Sequence, residues 1–398
     1  MEGNDESEDW QTTKARICFN NQVDFLIENQ VTMIKYLFIG LLLIANVAGK
    51  TFAQDPAFSQ PYMAPVYLNP AATGSGDHDL RVSGIVRRQW LSIPSAFTYS
   101  AFSVDKFISS LQSGIGLLLT TSSEGYIKKN GLYASYAYTF CPGVPDVASN
   151  SQLPKWFLTG ALQLGGAERH VNYNDLLFAD QIDVNGITGG PTGADLPVNN
   201  SRIYLDAGAG LIFNYRFTDY KRLLVGVSAR HVNRPDESLT ATNNIVRSVL
   251  PVLWSGNFLY TNSTNENWTY SFAGNASSQQ SNHFVQLGIE VTQNDYDISL
   301  GAWYRGNIGL NGGIPNFKDP DAITLSLSFN LSGRKNQTSK IRAGIAYDSP
   351  LNNQKYSYNG GSSEFGFVWD QQTYETNADD PCKPVISPRT ACPVNFRQ

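Results

Sequence analysis

From Leu80 onward the chain alternates apolar and polar residues with a period of two. Leu80, Val82, Gly84, Val86 and Trp90 alternate with Arg81, Ser83, Arg87 and Gln89. That is the pattern of a strand with one apolar and one polar face, and Arg88 breaks it only near the strand end. Ile203, Leu205, Ala207, Ala209, Leu211, Phe213 and Tyr215 oppose Asp206, Gly208, Gly210, Asn214 and Arg216, and Ile323 to Leu331 is as regular. Such runs predict strands near 80–90, 97–106, 113–121, 129–140, 155–167, 202–216, 221–231, 249–260, 267–275, 281–292, 296–305, 321–331, 339–348 and 361–370. The run near 267–275 is the weakest. About fourteen strands is an even number, as bacterial outer-membrane barrels require.

Connection lengths sharpen the prediction. Every second connection is short: Phe107 to Gln112, Thr218 to Lys221, Asn294 to Tyr296. The intervening ones at Glu168–Ser201, Asn233–Ser248, Gly306–Asp321 and Ser349–Gly360 are long, as expected of periplasmic turns and outer loops. The segment Cys141–Pro154 is an exception on the short side. Aromatic residues at strand ends (Trp90, Phe107, Tyr138, Phe140, Trp156, Tyr215, Trp254, Tyr260, Tyr304, Tyr347) suit two interfacial girdles. A soluble β-sandwich would also alternate, but it accounts less well for the sorted loops. The predicted fold is an all-β, transmembrane outer-membrane β-barrel of about 14 antiparallel strands over residues 80–370.

Ahead of the barrel, Met33-Ile34-Lys35, the apolar run Tyr36–Val47 and Thr51-Phe52-Ala53 have the three regions of a secretory signal, 33–53, with cleavage expected between Ala53 and Gln54. The run is too short to cross a bilayer of about 30 Å as a helix. Residues 1–32 sit awkwardly before such a signal and are expected to be a mis-assigned upstream extension, the true start being Met33. Residues 54–79 follow as a leader, with prolines at 56, 61, 65 and 70. Those prolines predict an extended segment, placed in the periplasm. Residues 371–398 read as an irregular periplasmic tail with Pro381, Pro384, Pro388 and Pro393.

Composition agrees with a barrel. Aromatics make up 12%, charged residues only 16%, and glycines number 34. A net charge of -5 offers no basic footprint for nucleic acid, which is set aside as a partner. Among four cysteines, Cys382 and Cys392 share the tail and either close a small loop in an oxidising compartment or stay unpaired. The histidines lack zinc spacing, and no nucleotide or hydrolase motif appears; neither a cofactor nor a metal nor an enzymatic activity is expected.

Two sets of residues are candidates for function. Charges on the polar faces (Arg81, Arg87, Asp206, Arg216, Arg230, Glu290, Arg305, Arg342, with Asp348 and Glu364) must face the lumen, because lipid exposure of a charge near mid-depth costs several kcal/mol. There they either pair and fill the interior or line a solute path. In the leader, Phe58, Tyr62, Met63, Tyr67 and Leu68 are large enough to anchor a docking surface for periplasmic partners, or else fold back against the barrel mouth.

The leader DPAFSQPYMAPVYLNPAATG over 55–74, followed by Arg87-Arg88-Gln89-Trp90 and Phe97-Thr98-Tyr99-Ser100, resembles the start of the PorP/SprF family of type IX secretion and gliding-motility membrane proteins. Val225–Pro235, Leu300–Arg305 and Ala346-Tyr347-Asp348 resemble it too, as does the Cys392-Pro393 ending with Phe396, loosened by one residue. The stretch from about Tyr260 to Ser281 matches nothing. The resemblance implies a non-enzymatic outer-membrane component that works with outer-membrane lipids, the translocon, periplasmic ring lipoproteins and secreted cargo. The alternative is a passive, porin-like solute channel.

Overall fold

A computed structural model describes residues 55–371, apart from 77–78, 95, 141–155, 185, 189, 195, 197–198, 219, 240–247, 264–266, 281, 312–313, 333–338 and 352–359. The predicted signal, the tail and all four cysteines therefore lie outside the described residues. Fourteen antiparallel strands close into one barrel: β1 (Leu80–Gln89), β2 (Phe97–Ile108), β3 (Ser113–Glu124), β4 (Ile127–Phe140), β5 (Trp156–Val171), β8 (Ser201–Thr218), β9 (Lys221–Arg230), β10 (Leu253–Asn262), β11 (Trp268–Gln279), β12 (Asn282–Gln293), β13 (Ile298–Asn311), β14 (Ile314–Ser332), β15 (Ser339–Pro350) and β16 (Ser362–Gln371). Each strand pairs with its neighbour in the chain, and β1 closes on β16 with Leu80 opposite Gln371 and Gln89 opposite Ser362. Even the weakest predicted strand, β11, is present and pairs along its whole length with β12.

Alternation sets the faces. Val86, Phe102, Leu117, Leu132, Leu164, Leu205, Phe272, Leu300, Leu325 and Phe365 are exposed on the outer wall, while Ser83, Ser103, Thr159, Gln286, Thr292 and Thr324 are buried inside. A one-residue register slip would reverse both faces, so the pattern also specifies the register. At one mouth an aromatic chain runs from Phe140 through Trp156, Phe213, Tyr215 and Phe217 to Tyr260, with successive ring centroids 4.8–6.5 Å apart. This is half of the expected girdle. Phe107 is a correction: it is 4% exposed and belongs to the inward-facing set of β2.

One mouth carries Ser109–Leu111 and the turn between Thr218 and Lys221, along with the longer connection from β4 to β5; the other carries the long connections from β5 to β8, β9 to β10 and β15 to β16, along with the tight turns β3–β4 and β11–β12. We call these the turn mouth and the loop mouth. A small hairpin, β6 (Ile182–Asp183) with β7 (Gly186–Ile187), stands within the longest loop. The expected loop Gly306–Asp321 is instead a continuation of the β13–β14 hairpin, with register shifts at Arg305/Gly306 and Asn307/Gly309. Its prolines at 315 and 320 stand within β14. There β14 pairs only with β13, since its ladder to β15 starts at Ala322, and an edge strand tolerates proline.

The largest correction concerns the leader. It is neither extended nor periplasmic: residues 55–76 lie inside the barrel. Three single turns, the 3-10 turn Pro61–Met63, the α-turn α1 (Pro65–Leu68) and the 3-10 turn Pro70–Ala72, each begin with a proline. The first helical position is where proline's fixed φ helps and its missing N–H costs nothing, so the residues taken to forbid helix start three short ones. Asn69 caps the third turn, its Oδ1 accepting from Ala71 N at 2.9 Å.

By the rule that outer-membrane barrels keep short turns in the periplasm, the loop mouth faces outward. Cysteine at Val184, fully exposed at the tip of the loop hairpin, should then react with an impermeant maleimide on intact cells. Cysteine at Tyr220 in the β8–β9 turn should react only after lysis. The reverse pattern would invert the barrel.

Candidate functional site: the occupied lumen

The leader descends the lumen from one mouth to the other. Its first described residue, Asp55, lies at the loop mouth, where its N–H donates to Gln279 Oε1 at 2.9 Å and its carboxylate meets His231 Nε2 at 2.8 Å. Gly74 ends the path at the turn mouth, donating its N–H to Asp105 Oδ2 at 2.7 Å. Small wall residues make room. A Cβ on Gly210 would stand 2.1 Å from Asn69 Oδ1, and one on Gly114 would stand 2.1 Å from Thr73 O. Neither position admits a side chain while the leader is in place.

Apolar contacts seat the segment. Phe58, Met63, Val66 and Tyr67 pack with Ile85, Tyr99, Leu118 and Val368, while Ala71 and Ala72 pack with Ile212, Leu224, Leu259 and Trp303. Phe58 and Tyr67 meet edge to face at 4.9 Å, and Tyr62 lies 6.1 Å from Trp303. The five leader residues expected to dock partners are thus placed within the wall. Phe58, Met63 and Tyr67 are buried and Tyr62 and Leu68 half-buried, so they form a core instead of an exposed surface.

Polar contacts then fix the segment at three depths. Near the loop mouth, Glu364 accepts from Ser59 N at 2.7 Å and Gln60 N at 2.6 Å. The Ser59 hydroxyl bonds Asp348 and Arg87. Arg87 also pairs with Asp348 at 2.5 Å and lies 3.6 Å from Glu364, and Arg305 reaches Asp348 at 3.5 Å. At mid-depth Asn69 Nδ2 donates to Val227 O at 3.2 Å and to Leu211 O at 3.3 Å. At the turn mouth Arg81, fully buried, holds Asp105 by two parallel bonds of 2.9 and 2.8 Å and donates to Ala72 O and Ser75 O.

Of the predicted lumen charges, Arg81, Arg87, Asp206, Glu290, Arg305 and Arg342 are buried inside, with Arg342 paired to Glu290 at 3.2 Å. Arg230 stacks over the Tyr67 ring at 4.3 Å and lies 3.6 Å from Asp55. Arg216 shares the inward face of β8, half-buried near the turn mouth. They pair and fill; among the described residues they do not line an open bore. Sequence reasoning missed Asp55, Ser59, Asn69, Asp105 and above all His231, which bridges Asp55 and Asp206 at 2.8 Å on each nitrogen. A signal was present in the pattern: Ile85, Leu118, Ile212, Leu224, Leu259 and Val368 are apolar at lumen-facing positions, which makes sense only if something apolar lies within.

A family model described as type IX secretion system membrane protein PorP/SprF matches residues 50–369. The chain belongs to that family. A search of curated proteins finds no match. Among solved structures, this PorP/SprF barrel is similar to the Pseudomonas putida toluene transporter TodX (10% identity, TM-score 0.41, 77% of this chain and 92% of that one). It is also similar to a Pseudomonas aeruginosa FadL homologue (12% identity, TM-score 0.43, 82% and 100%) and to the NanC porin (9%, 0.34, 74% and 100%). These likenesses are of barrel shape only.

Two predictions follow from the anchors. Changing Asp105 to Ala leaves Arg81 buried without its carboxylate and Gly74 N without an acceptor; breaking such a pair costs about 3–5 kcal/mol. The detergent-solubilised Asp105→Ala barrel should lose heat resistance on gels, and an unchanged transition would show the pair to be dispensable. The second concerns pH. Burial disfavours a charge on His231, which lies just past the end of β9, but the Asp55 carboxylate and the bonds to Asp206 and Asp55 outweigh it and push its pKa up to about 9. Because the folded value exceeds the unfolded one of about 6.5, the stabilisation is full below pH ~6.5 and is lost as pH rises through about 9. Thermal unfolding of the wild type should therefore weaken between pH 7 and pH 10, and His231→Gln should flatten that decline. An equal decline in the variant would remove His231 as its source.

Proposed function

We propose that this PorP/SprF protein is a non-enzymatic component of the type IX machinery that supports export or surface delivery of cargo proteins, including gliding adhesins, from a barrel closed by its own leader. The observation that carries the reading is the passage of residues 55–76 along the lumen, with apolar contacts along the path and charged anchors at both mouths. A closed barrel supplies an anchored surface in the outer membrane in place of a solute path. Such a role suits a protein that works with a separate translocon.

With the leader inside, the surface available to periplasmic ring lipoproteins is the turn mouth together with the chain beyond Gln371, while the loop mouth faces translocon and cargo at the cell surface. The outer wall faces lipid: its large exposed side chains are apolar along most strands. Delivery to the outer membrane is assigned to the export signal over 33–53.

Two measurements test this reading. Purified protein in a planar bilayer should show no steady conductance, whereas a constantly open pore would favour the passive channel. Deleting the gene should remove a type IX cargo from the surface while leaving the translocon assembled, with wild-type copies restoring it. Normal cargo display in the deletion strain would overturn the secretion role.

A further inference from the structure

Much of the wall's polar hold on the leader is through its main chain. Glu364 takes the N–H groups of Ser59 and Gln60, Gln286 Nε2 donates to Ser59 O at 2.6 Å, and Arg305 donates to Ala57 O at 3.3 Å. Ser228 donates to Leu68 O at 3.3 Å, and Arg81 donates to Ala72 O at 2.8 Å and Ser75 O at 3.0 Å. The Gln60 side chain shows the contrast: its main-chain N–H is held at 2.6 Å, while its buried Nε2 has no partner. Main-chain groups are common to all polypeptides, so these bonds depend on backbone shape, while the side chains of Asp55, Ser59, Tyr62 and Asn69 and the apolar residues of the turns add contacts of their own. The prolines supply that shape and carry no N–H that the lumen must satisfy.

Two further observations suggest that the site admits more than its resident. The wall is not saturated by the leader, since Gln286 Oε1 and Arg87 Nε, both buried beside Ser59, lack partners. At the loop mouth a polar cavity of about 470 Å³ opens directly onto the start of the leader, lined by Asp55, Pro56, Ala57, Arg87, Glu124 and Trp90 among others. An incoming chain could enter there beside Asp55 and compete for the wall from the outer end inward.

We infer that the lumen is a polypeptide-binding site that recognises a proline-interrupted segment through its main chain, that the leader is its covalently attached resident, and that a segment of a second polypeptide can take its place. The inference goes beyond the secretory role and does not depend on it. Attachment gives the leader an effective concentration on the order of millimolar, so a free segment at micromolar concentration gains entry only when the resident is detached or pulled away.

The test uses the full chain with a protease recognition sequence replacing Asp77–His78, folded first and cut afterwards, with retained heat-modifiability as the check on the barrel. The probe is a fluorescent synthetic peptide of residues 55–76. Uncut protein should exclude the probe at micromolar concentration, and cut protein should bind it saturably, releasing the original segment. A probe N-methylated at Gln60, in which a methyl group replaces the hydrogen given to Glu364, should bind at least about tenfold more weakly. A probe with Gln60→Ala should stay within about threefold of the parent. Gln286→Met in the wall should also weaken binding, giving a second readout if Glu364 variants misfold. Failure of the cut protein to take up probe, whether its own segment stays or leaves, would overturn the proposal. So would a larger loss from the Gln60→Ala probe than from the N-methylated one.

Discussion

A barrel of fourteen strands encloses more space than its own inward side chains can fill, whereas eight strands leave only enough for side chains. This wall reduces its filling further by placing Gly, Ser and Thr at many inward positions. Something must occupy the interior or water will. The leader is the occupant, and the rest of the structure is fitted to it: glycines where it approaches closely, apolar side chains where its turns press, and carboxylates where its N–H groups point. The apolar core of this protein is therefore within the lumen, formed by the leader together with wall residues that break the polar pattern.

Charge follows the same logic. Arginines and carboxylates withdrawn from water are costly unless paired and hydrogen-bonded, and a buried pair replaced by apolar residues is often no less stable. Their value here is positional. Arg81 and Asp105 bind each other and also the leader's main chain, so the pair fixes Ala72–Ser75 against β1 and β2. Arg87, Asp348 and Glu364 do the same for Ser59 and Gln60 against β1, β15 and β16. Charges that look from the sequence like pore lining serve instead as clamps on a polypeptide.

How far the sequence discloses this divides along one physical line. Strand number, register faces and mouth asymmetry were legible because period-two alternation encodes which side meets lipid, and nearly every strand obeys it. The family was legible in the leader's own residues. The location of that leader was not, because proline spacing constrains φ without saying what the segment packs against; Pro61, Pro65 and Pro70 suit the first position of a helical turn as well as an extended chain. The clue lay in the exceptions to the pattern. Ile85 between Ser83 and Arg87, and Ile212 between Gly210 and Asn214, place apolar side chains on a face otherwise polar, and each touches the packed interior. His231 was passed over for a similar reason: scattered in sequence, it gains meaning only when a partner 176 residues away arrives beside it.

Sequence separation also orders the assembly. The turn-mouth anchors are local: Arg81 reaches Ala72 and Ser75 across only 9 and 6 residues, and Asp105 reaches Gly74 across 31. They can form while β1 and β2 are the only strands paired. The loop-mouth anchors that run from Ser59 and Gln60 to Asp348 and Glu364 on β15 and β16 span 289 to 305 residues. Those contacts cannot exist until the last strands come round, because the closing pair is β1 with β16. Loop-closure entropy for such distant contacts must be met before they contribute, so the leader's upper half becomes fixed only as the barrel shuts. Closure of the wall and seating of the plug are thereby one event, with Arg87 on β1 and Glu364 on β16, directly opposite each other in register, joining the two through the same serine.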